Sequence, residues 1–163
     1  MAMQVILAIA ILLCSLVAGL VFTFAIVVMP GIKSLDDRDF LNAFVVMDKV
    51  IQNNHPLFIL VWVGSAIAVG MLAVLSLWHL DGINRSVAIA LSCVYLLGVQ
   101  LPTILINIPL NNELQSLDLE ALREDEIASA REKFEHRWMY WNQARTIVAT
   151  FVSAGLIVLA LRL

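Results

Sequence analysis

Four side chains that could form a polar site lie close together in an apolar stretch near the C-terminus. Trp138, Trp141, Asn142 and Arg145 are spaced i, i+3, i+4 and i+7, so a helix places two indoles, an amide and a guanidinium on one face. An arginine near the bilayer centre costs about 2.5–3.5 kcal/mol on insertion scales, and polar partners or a wet cavity usually offset that cost. The spacing therefore predicts a polar cluster where this helix enters the membrane.

Two asparagines could join this cluster from a second helix. Asn107 and Asn111 end the preceding apolar stretch, at the same membrane boundary. Their amide oxygens can accept hydrogen bonds from the five N–H donors of a guanidinium. If the third and fourth helices are neighbours, the two asparagines and Arg145 come together.

The same spacing has a second interpretation, which the residues alone leave open. Arg145 lies only two turns inside the water boundary, so its long side chain could extend back to the lipid headgroups. Trp138, Tyr140 and Trp141 would then form an interfacial aromatic belt. On this interpretation there is no internal site.

The histidines allow a metal site as an alternative. His55 and His136 are expected on the same side of the membrane, near Glu132 and Glu135, but no HExxH run or i, i+4 histidine pair is present. We therefore predict no metal and no other cofactor. His136 fits better as part of the solvated helix surface or as a proton carrier at the mouth of the site, because histidine is the side chain that ordinarily changes charge near neutral pH.

Several other kinds of chemistry have no support in the sequence. No serine lies in a GxSxG context, and no glycine-rich phosphate loop precedes a helix. Cys14 and Cys93 lie inside apolar stretches, where a small side chain simply packs. The net charge of −3 gives no basic surface for nucleic acid, so no nucleic-acid partner is expected.

Four long apolar stretches must position these residues: about 5–29, 56–78, 86–110 and 138–161. The chain has ten Lys and Arg and thirteen Asp and Glu residues, yet only Arg145 falls inside the stretches. About 20 apolar residues in a helix cross the hydrocarbon layer, and the period-two alternation of a barrel is missing. The sequence predicts an all-α fold, a bundle of four transmembrane helices.

The composition agrees with a single integral membrane domain over residues 1–163. With 61% hydrophobic and 14% charged residues, the chain is too apolar for one soluble core. Residues 1–29 resemble a signal peptide in hydropathy, but they have no basic start and lead into Pro30-Gly31 without a clear cleavage pattern. We therefore expect a retained first helix.

Two extramembrane helices are predicted between the spans. Residues 36–53 form a short amphipathic helix, expected along the bilayer surface, with an apolar stripe of Phe40, Phe44, Met47 and Ile51. Pro109 is expected to break the third helix, because proline lacks a backbone donor. A polar helix over 118–137 then leads into the fourth span.

The distribution of basic residues predicts the orientation of this multi-pass protein. Eight of the ten lysines and arginines lie on the side of the two long connections, and only Arg85 and Arg162 lie on the other. The positive-inside rule then places the long connections in the cytoplasm and both termini outside, as in a bacterial inner or plasma membrane. Twelve of the thirteen acidic residues share that side, which weakens the asymmetry.

Three short motifs, together with the four-span layout, resemble a known family. The chain is similar over nearly its whole length to the DUF1772, or anthrone oxygenase-like, family of small integral membrane proteins. The motifs are Val28-Met29-Pro30-Gly31, Ile108-Pro109-Leu110-Asn111 and Trp141-Asn142-Gln143-Ala144-Arg145. The last two carry the resemblance, since apolar spans match almost anything.

The resemblance implies a function and a site. The family takes its name from members that oxidise polycyclic anthrones to anthraquinones, and no cofactor can be carried over from them. The implied site residues are Asn107, Asn111, Asn142 and Arg145, with Trp138 and Trp141 as walls. On this basis the protein would be an oxidoreductase that binds a small lipophilic aromatic substrate.

A mechanism can be written for such a site as a hypothesis. A flat anthrone would enter from the lipid and stack on one of the two indoles. Arg145 and Asn142 would stabilise the enolate formed on deprotonation, and the electron-rich carbon could react with oxygen without a metal. His136 or Glu135 would be the base.

Two functions of a different class remain open. The protein could be a non-catalytic assembly protein of the lipid bilayer. The polar cluster would then have the purely structural role of locking the third and fourth helices together. It could also line a pathway for a proton or small solute. Four spans would then need a homo-oligomer to enclose a pore, and no ring of like charges lines one.

Overall fold

The computed structural model describes all 163 residues, and its regular elements are five helices. They are α1 (Ala2–Ile32), α2 (Asp37–Gln52), α3 (Pro56–His79), α4 (Gly82–Gln115) and α5 (Glu124–Ala160). All but α2 are long and apolar enough to span a membrane. The predicted all-α fold with four transmembrane helices is confirmed.

The four long helices form an antiparallel bundle. Helix α1 packs against α3 and α5, and α4 packs against the same two helices on the other side. The interior is filled by one apolar core that includes Val17, Leu72, Tyr95 and Leu156. Large apolar side chains also cover the outer faces, as expected where lipid replaces water as the solvent.

Helices α4 and α5 approach each other closely at two glycines. A Cβ atom built on Gly98 would lie 2.8 Å from Cγ1 of Val148, and one on Gly155 would lie 2.8 Å from Cδ2 of Leu91. Small residues permit such contacts between membrane helices, where van der Waals packing is the main attraction. The close contact at Gly98 fixes α4 beside the part of α5 that carries Arg145.

Prolines shape the two helices that carry most of the polar residues. Three segments have the wider π-helical turn, and each lies just before a proline: Phe24–Val28 before Pro30, Leu96–Gln100 before Pro102 and Thr103–Asn107 before Pro109. A proline removes one backbone donor and crowds the carbonyl four residues earlier. In all three cases that earlier residue lies inside the widened turn, which accommodates the ring.

The expected break at Pro109 is therefore wrong. Helix α4 continues through it to Gln115, and α1 likewise continues past Pro30 to Ile32. The π-helical turns absorb the steric clash, so the chain keeps its helical direction. As a result, α4 carries Asn107 and Asn111 on one continuous helix.

Helix α2 lies across one end of the bundle. Its apolar side chains Phe40, Leu41 and Phe44 are completely buried against the polar start of α5 and the end of α4. The helix was expected along the bilayer surface, but protein buries Phe40 and Phe44 of its apolar stripe and half-buries Met47 and Ile51. The reason is the early part of α5, which extends beyond the bundle and offers Ile127 and Phe134 as packing partners.

The last helix begins at Glu124, later than the expected start near residue 118. The carboxylate of Asp118 accepts hydrogen bonds from the backbone N–H groups of Glu120 and Ala121, which forms a turn instead. The side chain of Glu126 then accepts from the backbone N–H of Arg123 and closes the first turn of α5.

Arg131 fastens the connection between α1 and α2 to α5. Its guanidinium lies 4.2 Å from the ring centre of Phe40. The same group donates to the backbone carbonyls of Lys33 and Leu35 and to the carboxylates of Asp37 and Glu135. Arg38 makes a similar set of bonds to the segment before α5, so two arginines hold α2 in place.

Replacing Arg131 by Met should lower the free energy of unfolding by about 2–3 kcal/mol, since charge-assisted hydrogen bonds are lost from a side chain that is only 13% exposed. Thermal unfolding in detergent measures the effect. Arg123→Met is the matched control, because that side chain is 73% exposed and its ion pairs should contribute at most about 1 kcal/mol. Equal losses in the two variants would contradict the role of Arg131.

Candidate functional site

A cavity of about 120 Å³ lies inside the bundle, below α2. All five helices contribute to its wall, which is mostly apolar and rich in aromatic rings. Its polar lining side chains are Asp48, Thr103, Asn107, Asn111, Asn142 and Arg145. An apolar cavity with a few convergent polar groups is the usual form of a small-molecule site.

The guanidinium of Arg145 is buried in this cavity wall, with only 4% of the residue exposed. Its Nη1 donates to Oγ1 of Thr103 at 2.8 Å, and its Nη2 donates to Oδ1 of Asn142 at 3.1 Å. The Nε–H is buried and has no partner in the protein. No carboxylate lies within ion-pair distance, so this cation is held by neutral groups only.

Asn142 holds the guanidinium in position. Its Oδ1 accepts from Arg145, and its Nδ2 donates to the backbone carbonyl of Val21 at 3.0 Å. Val21 lies just before the π-helical turn of α1. Because both ends of this buried amide are bonded, Asn142 connects α5 to α1 and fixes the orientation of Arg145.

Asn107 differs from its neighbours in having no hydrogen bond. Only 3% of the residue is exposed, and both amide atoms, Nδ2 and Oδ1, are buried without a partner. Buried amides in native proteins are nearly always bonded, and exceptions often mark functional sites. Asn107 and Arg145 both line the cavity, so two helices of its wall carry buried N–H groups that have no partner in the protein.

A chain of hydrogen bonds runs along the end of the cavity nearest α2. Nε1 of Trp138 donates to Oδ1 of Asn111 at 2.9 Å, and Nδ2 of Asn111 donates to Oδ1 of Asp48 at 2.7 Å. The indole of Trp138 is buried among the rings of Phe24, Phe44 and Phe134. Trp138 therefore lies inside the protein and not in an interfacial belt.

Asp48 is the acidic residue in the cavity wall, and it is only 3% exposed. Besides Asn111, the amides of Gln52 and Gln115 donate to its Oδ2 at 3.2 and 3.1 Å. No cation lies within ion-pair distance. Sequence reasoning missed Asp48, although it follows Phe44 by one turn and so lies on the buried stripe of α2.

A polar stripe on α4 was also only partly recognised. Thr103, Asn107, Asn111 and Gln115 follow one another at four-residue intervals, so they share one face of the helix. Thr103 and Gln115 bond the two buried charged groups, Arg145 and Asp48. The four-residue spacing from Asn107 and Asn111 was the sequence pattern that could have identified Thr103 and Gln115.

Four residues singled out from the sequence lie outside the cavity. Trp141 is half-buried outside the cavity, with its ring edge-on to that of Tyr140. His136 is exposed in a separate surface groove, together with Glu135. His55 is exposed at the start of α3, and no group of three His, Cys, Asp or Glu side chains could hold a metal ion.

A comparison with known protein families matches the part of the chain that holds most of the residues of the cavity wall. A sequence profile of the family described as anthrone oxygenase matches residues 49–155, about two thirds of the chain. The matched segment includes α3, α4 and most of α5, and with them Asn107, Asn142 and Arg145. No curated protein and no solved structure matches the chain.

The two buried asparagines should respond in opposite ways to replacement by leucine. Asn142→Leu leaves the Val21 carbonyl and the Arg145 guanidinium short of a partner, so the free energy of unfolding should fall by about 2–3 kcal/mol. Asn107→Leu removes an amide that has no partner, so stability should be unchanged or rise by about 1 kcal/mol. Thermal unfolding of both purified variants measures this, and equal destabilisation would show that Asn107 is a structural group.

Proposed function

The chain belongs to the anthrone oxygenase family, and we propose that it oxidises a small lipophilic aromatic substrate inside the membrane, at the cavity beside Arg145. One observation supports this most. A buried guanidinium has no carboxylate partner and an unbonded Nε–H, next to the unbonded amide of Asn107. These donors suit a substrate oxygen that becomes negatively charged during the reaction.

The position of the cavity favours a substrate that comes from the lipid. Flat aromatic molecules partition into the bilayer, and the wall offers the rings of Phe24, Phe58 and Trp138 for stacking. Ile108 lines the cavity and is 43% exposed on the outer surface of α4. A substrate could therefore enter sideways, between the helices, without passing through water.

The size of the cavity limits how much of the substrate is enclosed. Its volume of about 120 Å³ is close to that of engineered cavities of roughly 150 Å³ that bind benzene. We therefore propose that the reacting ring is enclosed. The outer rings of a tricyclic anthrone would extend past Ile108, after movement of the half-buried Ile51 and Phe58.

The proposed reaction converts a ring methylene into a carbonyl. Loss of a proton from the methylene gives an enolate, whose oxygen would accept hydrogen bonds from Nε of Arg145 and from Asn107. Asn142 was expected to share this role, but its N–H is bonded to Val21, so it would orient Arg145 instead. Dioxygen then supplies one atom to the new carbonyl, and the other leaves as water.

Replacing Arg145 by Met should lower kcat about 10²- to 10³-fold, because an oxyanion donor is removed from a site that excludes water. The assay follows formation of anthraquinone from anthrone in lipid nanodiscs, above the rate without protein. Arg137→Met is the control, since that arginine lies on the same helix, eight residues earlier, and is exposed.

Unchanged turnover in Arg145→Met would reject the assignment. A loss of thermal stability in that variant, with no turnover in the native protein, would favour the non-catalytic alternative. In that case the bonds from Arg145 to Thr103 and from Asn142 to Val21 would serve only to lock the helices together.

A further inference from the structure

We infer that Asp48 is the general base that takes the proton from the substrate's methylene carbon, an inference that rests on the function proposed above. The bases expected from the sequence, His136 and Glu135, line a different groove on the outer surface. Asp48 is the one residue with a carboxylate or imidazole in the cavity wall. It faces the same space as Arg145 and Asn107.

The hydrogen bonds of Asp48 leave room for a proton. Each carboxylate oxygen has two acceptor positions. Oδ2 accepts from both Gln52 and Gln115, whereas Oδ1 accepts only from Asn111. Since all three donors are neutral amides, no fixed cation competes with the incoming proton, and Oδ1 keeps one free position.

The residues that carry the carboxylate and the guanidinium line the same cavity, from α2 and from α5. Asp48 is bonded through Asn111 to Trp138, and Arg145 lies seven residues after Trp138, about 10 Å along α5. Long side chains on a helix point back towards its N-terminus, and the bond from Arg145 to Asn142 shows this direction. The guanidinium of Arg145 therefore lies nearer to Asp48 than the Cα atom of Arg145 does.

This arrangement lets one ring contact both groups. In an anthrone the methylene carbon and the carbonyl oxygen lie on opposite sides of the central ring. The proposed orientation sets the oxygen against Arg145 and Asn107 and the methylene towards Asp48, since all three residues line the cavity. Proton removal and charge stabilisation then take place at the two ends of one conjugated system.

The steps balance with dioxygen as the only co-reactant. The C–H bond breaks, the proton goes to Oδ1 of Asp48, and the electron pair moves to the carbonyl oxygen. The carbanion adds dioxygen, and the resulting peroxide anion takes the proton back from Asp48. Loss of water from the hydroperoxide forms the second carbonyl, so a four-electron oxidation of carbon matches the four-electron reduction of dioxygen.

An anaerobic exchange experiment tests this role separately from oxidation. With anthrone in deuterium oxide and no oxygen, the native protein in nanodiscs should accelerate exchange of the methylene protons, followed by NMR. Asp48→Ala and Asp48→Asn should each lower that rate 100-fold or more. Added formate should partly restore exchange in Asp48→Ala, where the side chain leaves a space, but not in Asp48→Asn.

Asp39→Ala is the matched control, because it removes an exposed carboxylate from the same helix. It should exchange at the native rate. Exchange within a few-fold of native in Asp48→Asn, which keeps the shape of the side chain, would overturn the inference even if Asp48→Ala failed to fold. Absence of exchange in the native protein would overturn it as well.

The two proposals can fail independently. If proton exchange depends on Asp48 but no anthraquinone forms in air, the proposed oxidation is rejected and the role of Asp48 as general base stands. If turnover in air depends on Arg145 but not on Asp48, the role of Asp48 as general base is rejected and the proposed oxidation stands.

Discussion

The structure depends on keeping a guanidinium inside a membrane bundle. A charged side chain at this depth must have polar partners, because lipid offers none. Thr103 of α4 and Asn142 of α5 bind Arg145 directly, and Asn142 is itself held by Val21 of α1. Three of the four spanning helices are thus fixed around one cation. Because the partners are neutral, its charge is still available to a ligand.

The prolines show how the backbone brings these partners to the cavity. A regular helix would have to break or kink at Pro102 and Pro109, which would separate Thr103 from Asn111. The π-helical turns before both prolines keep α4 continuous, so Thr103, Asn107 and Asn111 all line the cavity. Such turns are rare inside α-helices and are often found at functional sites. Here all three lie in one half of the bundle, where the cavity is.

Periodicity in the sequence was enough to predict the four spans and to bring Asn107 and Asn111 of α4 near Asn142 and Arg145 of α5. It could not predict contacts that depend on tertiary packing. Helix α2 was expected on lipid because its apolar stripe fits either a membrane or a protein surface, and so Asp48 was overlooked on it. Trp141 shows a similar limit, because an i, i+3 spacing places it about 60° to one side of Trp138. The cavity-lining residues are nearer to Trp138, with Asn142 about 40° to the other side and Arg145 only about 20° to the side of Trp141.

The absence of an ion pair between the two buried charged groups is compatible with the proposed substrate. If Arg145 and Asp48 formed a direct ion pair, each would satisfy the other and leave little for a ligand. Apart, they keep one free donor and one free acceptor position. A permanent anion would be repelled by Asp48, and a permanent cation by Arg145. A neutral ligand that gives up a proton and becomes an anion within the cavity meets both groups, and a weakly acidic aromatic ketone has that property.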